Sequence, residues 1–301
     1  MADLAAALDA AVRVEPRLRH VQSVLVNVGG DTRAELYFRD RRADDLVNVH
    51  SITKSVLSTL VGIAVLDGSF DLDARAADVL GVRVDDPRKA EITLRHLLTM
   101  TSGLDSDGRW DIDEIVNRGE SWVEGPMAAP LVADPGTAFA YNNGAVHVLS
   151  VALARCVGRP LRELAEERLF APLGIDDYRW PEDADGNPLG YGHLELRPRD
   201  LVSLARLYLD RGRDLLDADY VASATSAASG GGPPEGTAYG YLWWIAADGF
   251  FGGGFAGQYL YVVPELALVA VTTGDMASWT PNAASARRLI GEVIVQAVRG
   301  G

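Results

Sequence analysis

The sequence predicts an α+β fold: a mainly antiparallel sheet flanked by helices, with a mostly helical region inserted into it. Three observations carry this. Strand-like runs sit near both ends of the chain, at 21–28 and 33–38 and again at 239–246, 257–263 and 266–273. Helical periodicity dominates the residues between them. No internal repeat is visible. Two terminal segments forming one sheet around a helical middle place residues 1–50 and 190–301 in a discontinuous α/β unit. Residues 51–189 then form a helical unit, with the functional site expected at their junction.

The elements follow in order. Residues 3–13 read as an amphipathic helix. The runs 21–28 and 33–38 read as a hairpin joined by Gly29-Gly30-Asp31. Asn48 to Gly68 reads as a buried helix, apolar on all sides and stopped by Gly68. Ile92 to Leu104 follows, with Thr93 capping a helix that ends near Gly103. Residues 105–130 are a long polar stretch, and Pro135-Gly136 marks a turn. Further helices are expected at 145–157, 160–170 and 200–209. The Gly-, Asp- and Pro-rich residues 181–192 read as a loop. The Ser-, Gly- and Pro-rich residues 224–237 read as a flexible surface loop. Pro264-Glu265 turns a second hairpin, and a helix over 281–298 closes the chain.

Composition bounds the function. The 301 residues carry 28 Lys+Arg against 42 Asp+Glu, a net charge of −14. That charge disfavours nucleic acid and anionic membrane surfaces as partners. One cysteine, Cys156, excludes an intrachain disulfide and a cysteine-based zinc site, and it reads as a buried structural thiol. The five histidines, His20, His50, His96, His147 and His193, show no metal-ligand spacing. His147 reads as a core histidine, and core packing is the default for most of Trp110, Trp122, Trp243 and Trp244. No secretory signal and no membrane-length apolar run is visible, so a cytoplasmic location is expected. No metal and no cofactor are expected.

The chemistry gathers on the buried helix. Ser51 and Lys54 are three residues apart and share a helix face. A lysine in a first turn opposes the helix dipole and is costly to desolvate. The pair supplies a hydroxyl nucleophile and an amine that can take its proton, beside backbone N–H groups suited to an oxyanion. Ser-x-x-Lys alone is a weak signal, because Ser51 could be a helix cap. Composition strengthens it: Lys54 and Lys89 are the chain's only lysines. A chain that otherwise chooses arginine keeps, at position 54, a side chain able to lose its proton. Lys89 reads as solvated loop. No Gly-x-Ser-x-Gly elbow is present, and Gly252-Gly253-Gly254 lacks the Lys-Ser/Thr of a phosphate loop.

Five stretches occur in order over most of the chain: Ser51-Ile52-Thr53-Lys54-Ser55, Ile92 to Leu104, Pro135-Gly136-Thr137-Ala138-Phe139-Ala140-Tyr141-Asn142-Asn143, Leu196 to Leu201, and Gly257 to Pro264. Together they resemble the serine β-lactamase and penicillin-binding-protein superfamily. The branch most like this chain holds class C β-lactamase-like esterases, amidases and 6-aminohexanoate-dimer hydrolases. The resemblance implies a serine hydrolase that forms an acyl-enzyme on Ser51. Lys54 and Tyr141 would share the proton work, with Tyr141 favoured as phenolate beside the Lys54 ammonium. Asn143 would hydrogen-bond Lys54 and the substrate. The third motif departs from the pattern. Where many relatives carry Lys-Thr-Gly or His-x-Gly, this chain aligns Phe251-Gly252-Gly253-Gly254, with no cation. The Gly254 N–H would complete an oxyanion hole with that of Ser51. A small ester or amide is the expected substrate. A true β-lactamase, or a non-catalytic ligand-binding or regulatory member of the same fold, is the alternative.

Overall fold

The computed structural model describes residues 2–282 and 285–300. Its centre is one eight-stranded antiparallel sheet. The strands are β1 (Val21–Val28), β2 (Asp31–Tyr37), β5 (Ser229–Gly232), β6 (Thr237–Tyr239), β7 (Trp244–Ala246), β8 (Gly249–Gly254), β9 (Gln258–Val263) and β10 (Leu268–Gly274). Their spatial order is β2-β1-β10-β9-β8-β7-β6-β5. A separate two-stranded ladder pairs β3 (Val47–Asn48) with β4 (Glu195–Leu196). The amino-terminal hairpin is therefore inserted beside the carboxy-terminal strand, with Ser23 opposite Thr273.

Local chemistry explains the edges of these elements. The β1–β2 hairpin turns on Gly29 (φ +60°) and Gly30 (φ +97°), conformations that L side chains resist. Pro264 opens the short turn Pro264–Leu266 between β9 and β10. β1 is buried from Val21 to Asn27, so it lies in the body of the sheet rather than alternating between core and solvent.

Five helices matter most to the site and core: α1 (Ala2–Val14), α2 (Thr53–Leu66), α3 (Leu94–Leu98), α4 (Asn143–Val157) and α5 (Pro198–Leu209). α1 packs on β2, and α5 crosses β1, β9 and β10. α2 is buried from Thr53 to Ala64. Gly62 gives it clearance, since a Cβ there would stand 2.5 Å from the Tyr220 ring and 2.7 Å from Leu216. No described helix is long and apolar enough to cross a membrane.

Several expectations need correction. Ser51 lies in a 3-10 turn, His50–Ile52, immediately before α2 rather than in the α-helix itself. The expected helix over 92–103 is shorter, Leu94–Leu98, although Thr93 does cap it and His96 returns the bond to the Thr93 N–H. The stretch 105–130 contains short helices, at Gly108–Trp110, Ile112–Asn117 and Glu124–Ala128. The stretch 224–237 contains the outermost strand, β5, paired with β6. Glycines give a strand no apolar pattern, yet their backbone can pair like any other. Lys89 is not solvated. It is 1% exposed, and its Nζ donates to Asp85 (2.6 Å) and to the Ala128 carbonyl (3.1 Å). Cys156 is only partly buried. In the expected closing helix, Ala283 and Ala284 lie outside the described residues; helical structure begins at Ala286.

Candidate active site

Ser51 is presented by the turn His50–Ile52. His50 takes a left-handed conformation (φ +47°), and its N–H donates to Asn48 Oδ1 at 2.8 Å. Neither this turn nor α2 uses a side chain as cap, so Ser51 is not spent on capping. Ser51 Oγ and Lys54 Nζ are hydrogen-bonded at 2.9 Å. Lys54 Nζ also donates to the Tyr191 carbonyl at 2.6 Å and stands 4.9 Å from the centre of the Tyr141 ring.

Lys54 is 1% exposed. No carboxylate is paired with it among the described ion pairs, and burial alone pushes its ammonium well below the ordinary lysine value. Burial without a counter-ion disfavours the ammonium form. That weakens the charge expected to favour a Tyr141 phenolate. Burial raises the Tyr141 hydroxyl above its ordinary value; a hydrogen bond with Ser51 opposes this, and the charge of Glu235 adds to it. Tyr141 is therefore a neutral phenol, which corrects the phenolate expectation.

Tyr141 is held from three sides. Its ring stacks on Trp244 with centroids 5.8 Å apart and planes 11° from parallel. Ser106 Oγ donates to its carbonyl at 3.2 Å. The next residue, Asn142, caps α4 by accepting from the Ala145 N–H at 2.8 Å, and its amide donates to the Leu104 carbonyl at 3.2 Å.

Asn143 does not reach Lys54. Its Oδ1 is buried without a hydrogen-bond partner, while the amine bonds Ser51 and Tyr191. Asn143 is the first residue of α4. The position the sequence did not reveal is the Tyr191 carbonyl. It ends the loop 181–192, which is pinned to α4 in two places. Asp183 accepts from buried His147 at 2.9 Å, and the Pro188 carbonyl accepts from Ser150 at 2.9 Å. No side-chain pattern marks a backbone acceptor.

The glycines of β8 meet different neighbours. A Cβ at Gly252 would stand 2.9 Å from Ser55 Oγ, so this residue packs β8 on α2 beneath the site. A Cβ at Gly254 would stand 2.6 Å from the Val49 carbonyl, which brings the end of β8 against the chain leading into Ser51. Gly253 and Gly254, with Ser51 and Tyr141, line an open cleft of about 400 Å³. Trp244, Phe255, Trp279 and Glu235 add to its walls. No lining residue is lysine or arginine. Of the expected set, Ser51, Lys54, Tyr141, Gly253 and Gly254 meet; Gly252 and Asn143 do not face the cleft.

This geometry agrees with the sequence comparison. The Beta-lactamase family profile matches residues 13–294. The chain belongs to the beta-lactamase family. Beta-lactamase-family relatives include penicillin-binding protein 4 of Amycolatopsis lactamdurans, 28% identical over 285 residues, which span 78% of this chain and 74% of that one. Esterase EstB of Burkholderia gladioli is 31% identical over 162 residues, covering 46% of this chain and 39% of EstB. The solved structure of EstCE1, described as a hydrolase with promiscuous acyltransferase activity, superposes with a TM-score of 0.80. It is 17% identical, with 100% of this chain and 98% of that chain covered, and it shows the shared fold. The resemblance read from the motifs is thus confirmed, as is the α+β architecture. The chain is a beta-lactamase-like hydrolase of the serine hydrolase superfamily.

Proposed function

We propose that this protein cleaves small carboxylic esters through an acyl-enzyme on Ser51. The observation that carries the reading is the hydrogen bond between Ser51 Oγ, which lines an open cleft, and a buried Lys54 amine with no carboxylate partner among the described residues. In acylation the Ser51 O–H gives its proton to the Lys54 lone pair while Oγ bonds the ester carbonyl carbon. Backbone N–H groups of Ser51 and of the Gly254 end of β8 are the candidate oxyanion donors. When the tetrahedral intermediate collapses, the C–O bond to the alcohol breaks. The leaving oxygen takes the Tyr141 phenolic proton, and Tyr141 recovers it from the Lys54 ammonium. Water then attacks the acyl-enzyme by the same route in reverse, releasing the acid and restoring Ser51. The relatives named as esterases support the ester assignment.

A β-lactamase activity has less support. Its substrates carry a carboxylate, and no lining residue of the cleft supplies a lysine or arginine to bind one. The test uses a fluorophosphonate probe with mass analysis of the labelled peptide, and rates on p-nitrophenyl butyrate and nitrocefin. Label on the Ser51 peptide, loss of ester turnover in folded Ser51→Ala, and poor nitrocefin turnover are expected. Ester turnover retained by Ser51→Ala would overturn the reading, and nitrocefin turnover equal to butyrate turnover would restore the β-lactamase.

A further inference from the structure

The Ser51 cleft has one lining carboxylate, Glu235, on the turn between β5 and β6. Its side chain is 14% exposed. Its Oε1 accepts from the Tyr259 hydroxyl at 3.0 Å and stands 3.1 Å from where a Cβ on Gly253 would be. The carboxylate therefore overhangs the middle of the glycine run on β8, filling space that a side chain at that position would take. Its Oε2 pairs with Arg287 at 3.1 Å. That guanidinium lies over the Phe251 ring, 5.1 Å from its centre, and is not part of the lining. The cleft thus meets the negative end of the pair.

Three further observations point the same way. The charge of Glu235 reaches the reacting groups, since it raises the cost of ionising Tyr141. The remaining walls include the rings of Trp244, Phe255 and Trp279, whose faces attract cations. The whole chain carries a net charge of −14, a field that draws cations to clefts and turns anions away.

We propose that the Ser51 site is built for esters that carry an ammonium group, with Glu235 and the aromatic walls as the cation subsite. This rests on the esterase reading above. An ammonium at Oε1 gains a charge-assisted hydrogen bond or close ion contact, and its alkyl groups lie on ring faces. A substrate carboxylate in the same place meets like charge.

The experiment compares charged and neutral isosteres on the wild-type chain. One series varies the acyl side: the p-nitrophenyl ester of γ-trimethylammonio-butanoate against the ester in which a tert-butyl group replaces the trimethylammonium. The second varies the alcohol side: the choline ester of acetate against its tert-butyl isostere. In at least one series kcat/KM should favour the cation by about 10-fold or more, with the advantage shrinking as salt is added. Glu235→Gln should bring that ratio toward one, whatever its absolute rates. Equal rates for cation and isostere in both wild-type series would overturn the proposal, even if Glu235→Gln fails to fold. A wild-type preference that survives in folded Glu235→Gln would also overturn it, since Glu235 would then only clamp the turn. Turnover of the neutral esters without charge preference would leave the esterase reading intact. No ester turnover at all would remove both.

Discussion

Lys54 Nζ lies 2.9 Å from Ser51 Oγ and 2.6 Å from the Tyr191 carbonyl oxygen. A neutral amine has two N–H donors and one lone pair. Donation to Tyr191 turns the nitrogen so that its lone pair can face the serine. In the proposed mechanism the backbone acceptor would therefore orient the base that the nucleophile needs.

Arginine at this position tests whether Lys54 transfers a proton or only supplies charge. Lys54→Arg should lose about 10²–10⁴ in kcat/KM, close to the loss in Lys54→Ala, because a guanidinium stays protonated. Ester kinetics and a thermal melt on both variants check this. Arginine retaining most of the activity at normal stability would show that charge alone suffices.

The pH profile follows from the buried amine. Lys54 must be unprotonated to accept the Ser51 proton, and burial lowers its pKa. Ester kcat/KM should rise with pH along an acid limb lying well below the ordinary lysine value of about 10. In the proposed mechanism Tyr141 works as an acid, and burial raises its pKa, so no alkaline fall should occur below about pH 10. Rates from about pH 5 to about pH 10 separate this from an ordinary lysine, which would gain activity only near the top of that range.

Tyr141→Phe removes the phenolic proton and keeps the ring on Trp244. Ester turnover should fall by about 10²–10³, with a melting temperature within a few degrees of wild type. Turnover unchanged in this variant would assign leaving-group protonation to the Lys54 ammonium alone.

Asp200 offers a stability test remote from the chemistry. Its Oδ2 accepts from the Arg197 N–H at 2.9 Å at the start of α5, and burial pushes its carboxyl up to about 6. The folded pKa lies above the unfolded value of about 3.9, so the native state holds the proton more tightly. This group's contribution is therefore fully present below about pH 4 and lost as pH climbs through about 6, a change of order 3 kcal/mol. Asp200→Asn keeps an acceptor for the cap and cannot ionise. Denaturant titrations between about pH 4 and about pH 7 should show a flatter stability profile in the variant than in wild type.

The sequence was most legible where local chemistry decides the structure. Gly29-Gly30 and Pro264 set their hairpins, and the apolar body from Thr53 to Leu66 could only be a buried helix. Ser51 and Lys54 stood out by residue type, spacing and the scarcity of lysine, and Tyr141 through its motif's resemblance to the family. What stayed hidden depends on partners distant in sequence. Lys89 looks like any loop lysine until the Ala128 carbonyl receives it. The Tyr191 carbonyl has no side-chain signature. Glu235 sits in a stretch of glycine, serine and proline that reads as surface, and only pairing of β5 with β6 carries it to the cleft. The protonation of Tyr141 depended on the state of its neighbour, which burial sets.

The pairing of the first strand with the last carries a consequence for synthesis. Ser23 Oγ and Thr273 Oγ1 share a hydrogen bond of 2.6 Å across 250 residues of chain. The ribosome releases β1 and β2 long before β10 exists, so for most of translation the emerging hairpin has one edge without its native neighbour. Gly253 and Gly254 also arrive late. A nascent chain can carry Ser51 and Lys54 and still have no finished cleft. On the proposed mechanism, acyl transfer would start only after the final strands leave the exit tunnel, and until then the open edge of β1 is a place where a chaperone, or another nascent copy, can bind.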